Sequence, residues 1–407
     1  MSACERNRNV DWSPEFPELS AILAQQPDWF QDIMSKPEAF ELQIRYTKIN
    51  RDAEGNPHFT TFTLNENADR YFYPASTIKL PVAALALEEL RRIDDERIDL
   101  FTQMSVDSTR YWQTPSHIDT LVANQIPSLA THIEKTIIVS DNDAHNRLFE
   151  FVGHERTNKL MWERGYNSVL FSHQLANPLR DEQNRVSPPV RFIENNQTIF
   201  SIPERISNLQ YPNSRDIFRG KKNIYDDELI YEPFNFRDKN NISIRDLQKS
   251  LIALVFPESV PEKMRFQITE EDRRFLLRIM GLLPNESSIA YYRESETYYD
   301  SYVKFFMFGD EMSPMPENVR ILNKVGLAYG YILDNAYIVD FENGIEFFLT
   351  AVILVNENQT FNDNTYEYEE IGIPFLHTLG TMIYEYEKNR ERAYQSDLTE
   401  FKSLFHN

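Results

Sequence analysis

The hydrophobic period changes twice along this chain, and that change limits the folds open to it. Residues 40–49 alternate, with Leu42, Ile44 and Tyr46 on one side. The turn cluster Asp52-Ala53-Glu54-Gly55-Asn56-Pro57 follows, then a β-rich run from Phe59 to Leu64. Period-two alternation around a turn cluster predicts a β-hairpin. From Leu80 to about Leu170 apolar residues recur at helical spacing, with short breaks at Pro115 and Pro127. Residues 177–211 read as irregular, and helices are predicted at 243–255 and 269–283. Strand signals then return at 320–325, 330–341 and 345–355, with Glu342-Asn343-Gly344 as a hairpin turn of the Asn-Gly kind. An opening helix at about 17–35 and a closing helix at about 377–392 flank the whole.

Strands at both ends and helices between them predict an α+β fold. Its antiparallel sheet comes from both chain ends and is flanked by helices, and an all-helical subdomain is inserted. The expected divisions are 1–16 as an N-terminal tether, 17–75 with 320–407 as the sheet part, 76–190 as the helical subdomain, and 190–319 as a large insertion with no assigned role.

Where the first hairpin hands over to the helical block stands Tyr73-Pro74-Ala75-Ser76-Thr77-Ile78-Lys79-Leu80-Pro81. Residues i and i+3 share a helix face, so the Ser76 hydroxyl and the Lys79 amine point into one site. A serine hydroxyl needs an adjacent base to attack a carbonyl. A lysine becomes that base when burial lowers its pKa. The apolar run Leu80, Val82, Ala83, Ala84, Leu85, Ala86, Leu87 supplies the burial. The bland alternative is a helix-start serine with a solvent-exposed lysine, and Ser-x-x-Lys alone does not decide between them.

Composition removes several classes of function. The formal charge of -21 argues against nucleic acid, whose phosphates need basic partners. No apolar run is long enough to span a bilayer. The eight histidines form no ligand spacing, so no metal site and no cofactor is expected. The single cysteine, Cys4, excludes an internal disulfide. Met1-Ser2-Ala3-Cys4 resembles the end of a lipoprotein leader, so the one expected membrane link is a lipid anchor at Cys4. The accidental reading of that tetrapeptide weighs equally.

Two downstream motifs give Ser76 and Lys79 a context. Ser140-Asp141-Asn142 precedes a helical pattern, and Lys324-Val325-Gly326 lies on a predicted strand before a hairpin. Ser-x-x-Lys, Ser-Asp-Asn and Lys-Thr-Gly, in that order, mark class A β-lactamases and penicillin-binding proteins. The chain resembles that serine-acyltransferase superfamily, with the class A β-lactamase-like group nearest, over about residues 17–190 and 320–392.

The resemblance implies an acyl-serine amide hydrolase that opens β-lactams or related peptidoglycan-like amides, a small-molecule substrate class, in the periplasm or cell envelope. Ser76 would be acylated, Lys79 would take its proton, and Ser140 would protonate the leaving nitrogen with help from Lys324. Asn142 would bind the substrate's side-chain amide. The oxyanion would sit between the backbone N–H groups of Ser76 and Leu327, just after Gly326. Trp112, next to Tyr111, stands where the family has an aromatic at the cleft rim.

Two departures limit the likeness. Val325 replaces the usual threonine and cannot donate a hydroxyl hydrogen bond to a substrate carboxylate. No Glu-x-x-Leu-Asn pattern follows Ser-Asp-Asn. The matching loop is expected at about 172–189, with the glutamate's place near 171–173 and His173, Asp181 or Glu182 as substitute bases. Without a base the acyl-enzyme would persist, as in a penicillin-binding D,D-peptidase or esterase-like hydrolase. A catalytically dead envelope binding protein is a further alternative, and the intact Ser76, Lys79, Ser140 and Lys324 argue against it.

Overall fold

The computed structural model describes residues 21–211, 215–309, 312 and 314–405. Cys4, the expected tether and the start of the expected opening helix lie outside the described residues. The expected single helix is interrupted: residues 21–23 are helical, a turn at 24–26 and Pro27 follow, and Asp28–Ser35 is a separate helix that buries Phe30, Ile33 and Met34.

The main sheet joins the two chain ends, as the period change implies. Its order is Val319–Ala328, Tyr331–Asp340, Ile345–Leu354, Gln43–Arg51, Pro57–Leu64, and every pairing is antiparallel. The seam between early and late chain pairs Tyr46 with Leu349 and Ile44 with Ala351. Ile345–Leu354 is apolar at nearly every position because both of its faces are covered. Phe347, Leu349, Ala351 and Ile353 pack with Phe375, Leu376 and Leu379 of the closing helix Ile373–Asn389. Phe348 and Val352 join the other core, with the helical body.

The Asn343-Gly344 turn differs from the tight form that its dipeptide suggests. Asp340 pairs with Ile345, so four residues make the loop, and within it only Gly344 has positive φ, at 61°. The Asp340 carboxylate explains this, since it accepts the backbone N–H groups of Glu342 and Asn343 at 2.9 and 3.1 Å. The two-residue turn occurs elsewhere, at Asn195-Asn196, with φ of 50° and 62°. It joins strands Val190–Glu194 and Gln197–Ile202 in the stretch read as irregular.

The inserted body has a helical core. Lys79–Ile93 runs through its centre, and its apolar stretch from Leu80 to Leu87 is buried on all sides. Leu129–Ile138 starts at a Ser128–Thr131 capping box, and Asn142–Val152 starts where Asp141 accepts the Ala144 N–H at 2.8 Å. This body also carries a small sheet in which Gln103–Val106 pairs with Val190–Glu194. Between residues 190 and 319, the helix Ile244–Val255 lies on the main sheet. Its buried Gln248 accepts from Thr47 Oγ1 at 2.6 Å and donates to Arg45 O at 2.9 Å. Among the described residues, no helix is long and apolar enough to cross a membrane.

Candidate active site

Each element delivers one part of a polar cluster between the sheet and the helical body. Ser76 lies in a short 3₁₀ turn, Ala75–Ile78, that leads directly into Lys79–Ile93. Ser140 and Asn142 sit at the start of Asn142–Val152, and Lys324 is on Val319–Ala328. Two left-handed residues shape the corners: Ala75 at φ 45° and Ser140 at φ 59°. Non-glycine residues in that region cost of order 1–3 kcal/mol, so the surrounding structure must hold them there.

Ser140 is the hub. Its Oγ lies 3.1 Å from Lys79 Nζ and 2.9 Å from Lys324 Nζ. Lys79 Nζ also donates to Ser140 O at 2.6 Å and to Asn142 Oδ1 at 2.7 Å, and Lys324 Nζ donates to Val325 O at 3.0 Å. Burial holds the Lys79 pKa well below the usual lysine range, and the Lys324 charge lowers it further. Lys324 is pushed down to about 7 by burial, with Asp334 opposing and Lys304 adding to the shift. Two amines this close cannot both keep a full charge cheaply, so one neutral amine is the expected state of the pair. A neutral Lys79 would donate to Ser140 O and Asn142 Oδ1 and turn its lone pair to a hydroxyl.

Ser76 is half-buried, and its Oγ makes no hydrogen bond among the described residues. The structure thus brings together Lys79, Ser140, Asn142 and Lys324, with Ser76 beside them but not bonded to them. Gly326 fixes how near the strand comes: a Cβ there would lie 2.9 Å from Ser76 N and 2.9 Å from Pro74 O. Only glycine permits that approach. Leu327 follows it at the open edge, and Val325 faces the sheet's other core. Trp112 is half-buried and stacks edge-on with the exposed Tyr111 at 5.0 Å. Trp112 and Asn142 share the wall of a cavity of about 360 Å³, with Asn146, Gln174, Leu175 and Asn177.

Among the described residues, none of the expected substitute bases hydrogen-bonds the cluster. His173 stacks on Tyr73 at 6.1 Å, its Nδ1 meets Gln174 O at 2.6 Å, and burial holds its pKa down at about 4. Asp181 is taken by Arg185 at 2.7 Å and by the Tyr211 hydroxyl at 3.1 Å. Glu182 is exposed on the surface. The loop residues that line the cavity beside Asn142 are Gln174, Leu175, Ala176, Asn177 and Leu179 rather than any near 171–173. The side-chain amide of Asn146, one helical turn after Asn142, exchanges two hydrogen bonds with the Leu175 backbone.

Two groups escaped the sequence reading. Glu150 lines the same cavity, bonded to Gln174 at 2.9 Å and Arg147 at 3.0 Å, and burial pushes its carboxyl up to about 7. His145 is fully buried, with neither ring nitrogen hydrogen-bonded among the described residues. Burial first, then the charges of Lys79 and Lys324, keep it neutral. The i+3 spacing from Asn142 to His145 was the available signal.

The profile of the beta-lactamase enzyme family matches residues 30–386. No curated protein matches the chain significantly. A β-lactamase from Sphaerobacter thermophilus DSM 20745 is 14% identical, with 92% of this chain and 97% of that one covered and a TM-score of 0.47. A class A β-lactamase from Mycobacterium abscessus is 14% identical, with 88% and 98% covered and a TM-score of 0.48. The protein PBP-A is 16% identical, with 91% and 94% covered and a TM-score of 0.45. The profile match spans most of the sequence, including Ser76, Lys79, Ser140, Asn142 and Lys324, so the chain belongs to the beta-lactamase enzyme family.

Proposed function

We propose that the protein is a serine hydrolase that acylates itself at Ser76 with β-lactams or related peptidoglycan-like amides. The observation that carries this is the double hold on Ser140 Oγ by Lys79 and Lys324. A hydroxyl so placed passes protons between an amine and a leaving group.

In this reading neutral Lys79 takes the Ser76 proton as Oγ attacks the carbonyl carbon. The negative oxygen gathers at the N–H groups of Ser76 and Leu327, and such a donor pair contributes about 3–4 kcal/mol per donor to the transition state. Collapse breaks the C–N bond, and Ser140 gives its proton to the nitrogen. The proton on Lys79 then restores the Ser140 hydroxyl. Lys324, when charged, attracts the substrate carboxylate, a role Val325 cannot share. Asn142 and Trp112 border the space for the acyl side chain.

Release of the acyl group is the slow step in the form we favour. What supports this is that Leu175, at the pinned loop position, is apolar, and that Glu150 in the same cavity is held by Gln174 and Arg147. The protein would then act in the cell envelope more as a penicillin-binding peptidase or esterase-like enzyme than as an antibiotic-resistance enzyme, with Cys4 as a candidate lipid anchor.

Intact mass after mixing with a penicillin, beside turnover of a chromogenic cephalosporin, tests both parts. A lasting adduct that Ser76→Ala abolishes is the expected result. Rapid turnover without an adduct would replace slow release with a true β-lactamase. Neither adduct nor turnover would overturn the β-lactam reading.

A further inference from the structure

Behind the active-site strand, on the opposite face of the sheet, lies a second buried charged group that the acylation steps do not use. Paired residues of an antiparallel ladder point to the same face. Lys324 pairs with Asn335, whose amide reaches Leu247 O at 3.2 Å on the side of the helical body. Asn323 and Val325 point the other way, and Val325 is paired with Asp334. There Lys304 Nζ donates to Met280 O at 2.7 Å, Ile321 O at 2.8 Å and Asn323 Oδ1 at 2.8 Å. Asn323 Nδ2 in turn donates to Asp334 Oδ1 at 2.8 Å and to Val303 O at 2.8 Å. Lys304, Asn323, Asp334 and Lys324 are each no more than 2% exposed.

Three acceptors around one amine suit an ammonium, and an ammonium there needs a carboxylate nearby. Asn323 links the two and stands next to Lys324 in the chain. We propose that Lys304, Asn323 and Asp334 are positioning residues that set the charge of Lys324 through the sheet. Burial pulls Lys304 and Lys324 to about 7 and lifts Asp334 to about 6, so the three groups titrate across a shared window. Lys79 faces Lys324 from the helical body, with Asp141 near Lys79 and neutral His145 behind. Arg320 and Glu286, paired at 2.7 Å, face Lys304.

The two charges act on Lys324 with opposite sign, and a purely structural role would not. Removing the carboxylate with Asp334→Asn leaves Lys324 among cations and lowers its pKa. Removing the amine with Lys304→Met raises it. The consequence for catalysis rests on the proposed role of Lys324, but the charge coupling does not.

The direct test labels lysine with ¹³Cε, assigns Lys324 by its loss in Lys324→Arg, and follows its titration by NMR. The expected outcome is a shift of about one unit down in Asp334→Asn and about one unit up in Lys304→Met, with the double variant near wild type. The alkaline limb of acylation by a fluorescent penicillin should move the same way. If a single variant does not fold, wild type alone suffices, because the Lys324 signal must show a second inflection where Asp334 titrates. Shifts of the same sign, or a single inflection with no shift, overturn the coupling. Absence of acylation with opposite shifts intact would remove the proposed function and leave the coupling standing.

Discussion

Asn146 Nδ2 donates to Leu175 O at 2.9 Å, and Leu175 N donates back to Asn146 Oδ1 at 2.9 Å. This reciprocal pair fastens the loop 172–189 to the helix that carries Asn142. It also places Leu175, an apolar residue, among the loop residues that line the cavity beside Asn142, with Gln174, Ala176 and Asn177. Placing a carboxylate there is the most direct way to speed release. Leu175→Glu should shorten the lifetime of a penicillin adduct by at least about tenfold, since a positioned general base is typically worth about 10²–10⁴. Time-resolved intact mass reads it, and an unchanged lifetime counts against this position as the missing one.

Lys79 is the proposed base, and it is buried with its amine fully engaged. Lys79→Met should reduce acylation by about 10²–10⁴-fold, the usual range for a lost acid–base group. It should leave the fold intact, because an apolar group of similar length replaces a buried amine. Stopped-flow acylation and circular dichroism together check the separation. A large loss of structure would mean that Lys79 is mainly a tie between Ser140 and Asn142.

Gly326 allows the strand to touch the nucleophile turn. In Gly326→Ala the new methyl meets Ser76 N and Pro74 O at 2.9 Å, so backbone must move. The expected destabilisation is about 1–3 kcal/mol in urea unfolding, the range for overpacking. Acylation should fall by more than that stability loss accounts for, because the displaced groups include the oxyanion donors.

Stability should respond to pH through Lys324. Its folded pKa, about 7, lies below the ordinary lysine value of 10.5. Between those values the unfolded chain binds a proton that the folded chain does not, so stability rises with pH across that window. Below about 7 the cost of the buried charge is fully present. Lys324→Met should therefore gain most over wild type at pH 6, and the gain should shrink by pH 10. Urea denaturation at the two pH values measures it, and a gain that grows with pH would contradict the assignment.

Much of this was legible in the sequence, for reasons that differ by element. The split sheet could be read because strand and helix periods differ so sharply, and Gln43–Arg51 and Ile345–Leu354 stand where alternation and the continuous apolar run put them. The meeting of Lys79, Ser140, Asn142 and Lys324 could be read because three short motifs carry it. The loop could not. Its place is set by the Asn146 side chain and by Leu175 backbone atoms, and backbone partners leave no mark on residue type. The hairpin at Asn195-Asn196 was missed although its dipeptide is a turn signal, because the prolines around it suggested disorder of form. The tight turn expected at Asn343-Gly344 gave way to the reach of Asp340, a longer-range effect than dipeptide preference.

The seam between early and late strands also fixes when the site comes into being. Lys324 and Ser140 are 184 positions apart in the chain, and their contact needs the last strands docked beside Gln43–Arg51. Such non-local pairing has high contact order and forms late in folding. A chain still emerging, or one clipped before residue 319, holds Ser76 and Lys79 without the strand that completes them. The proposed acylation would therefore need the finished molecule, and the same residues in a partly made chain would be chemically silent.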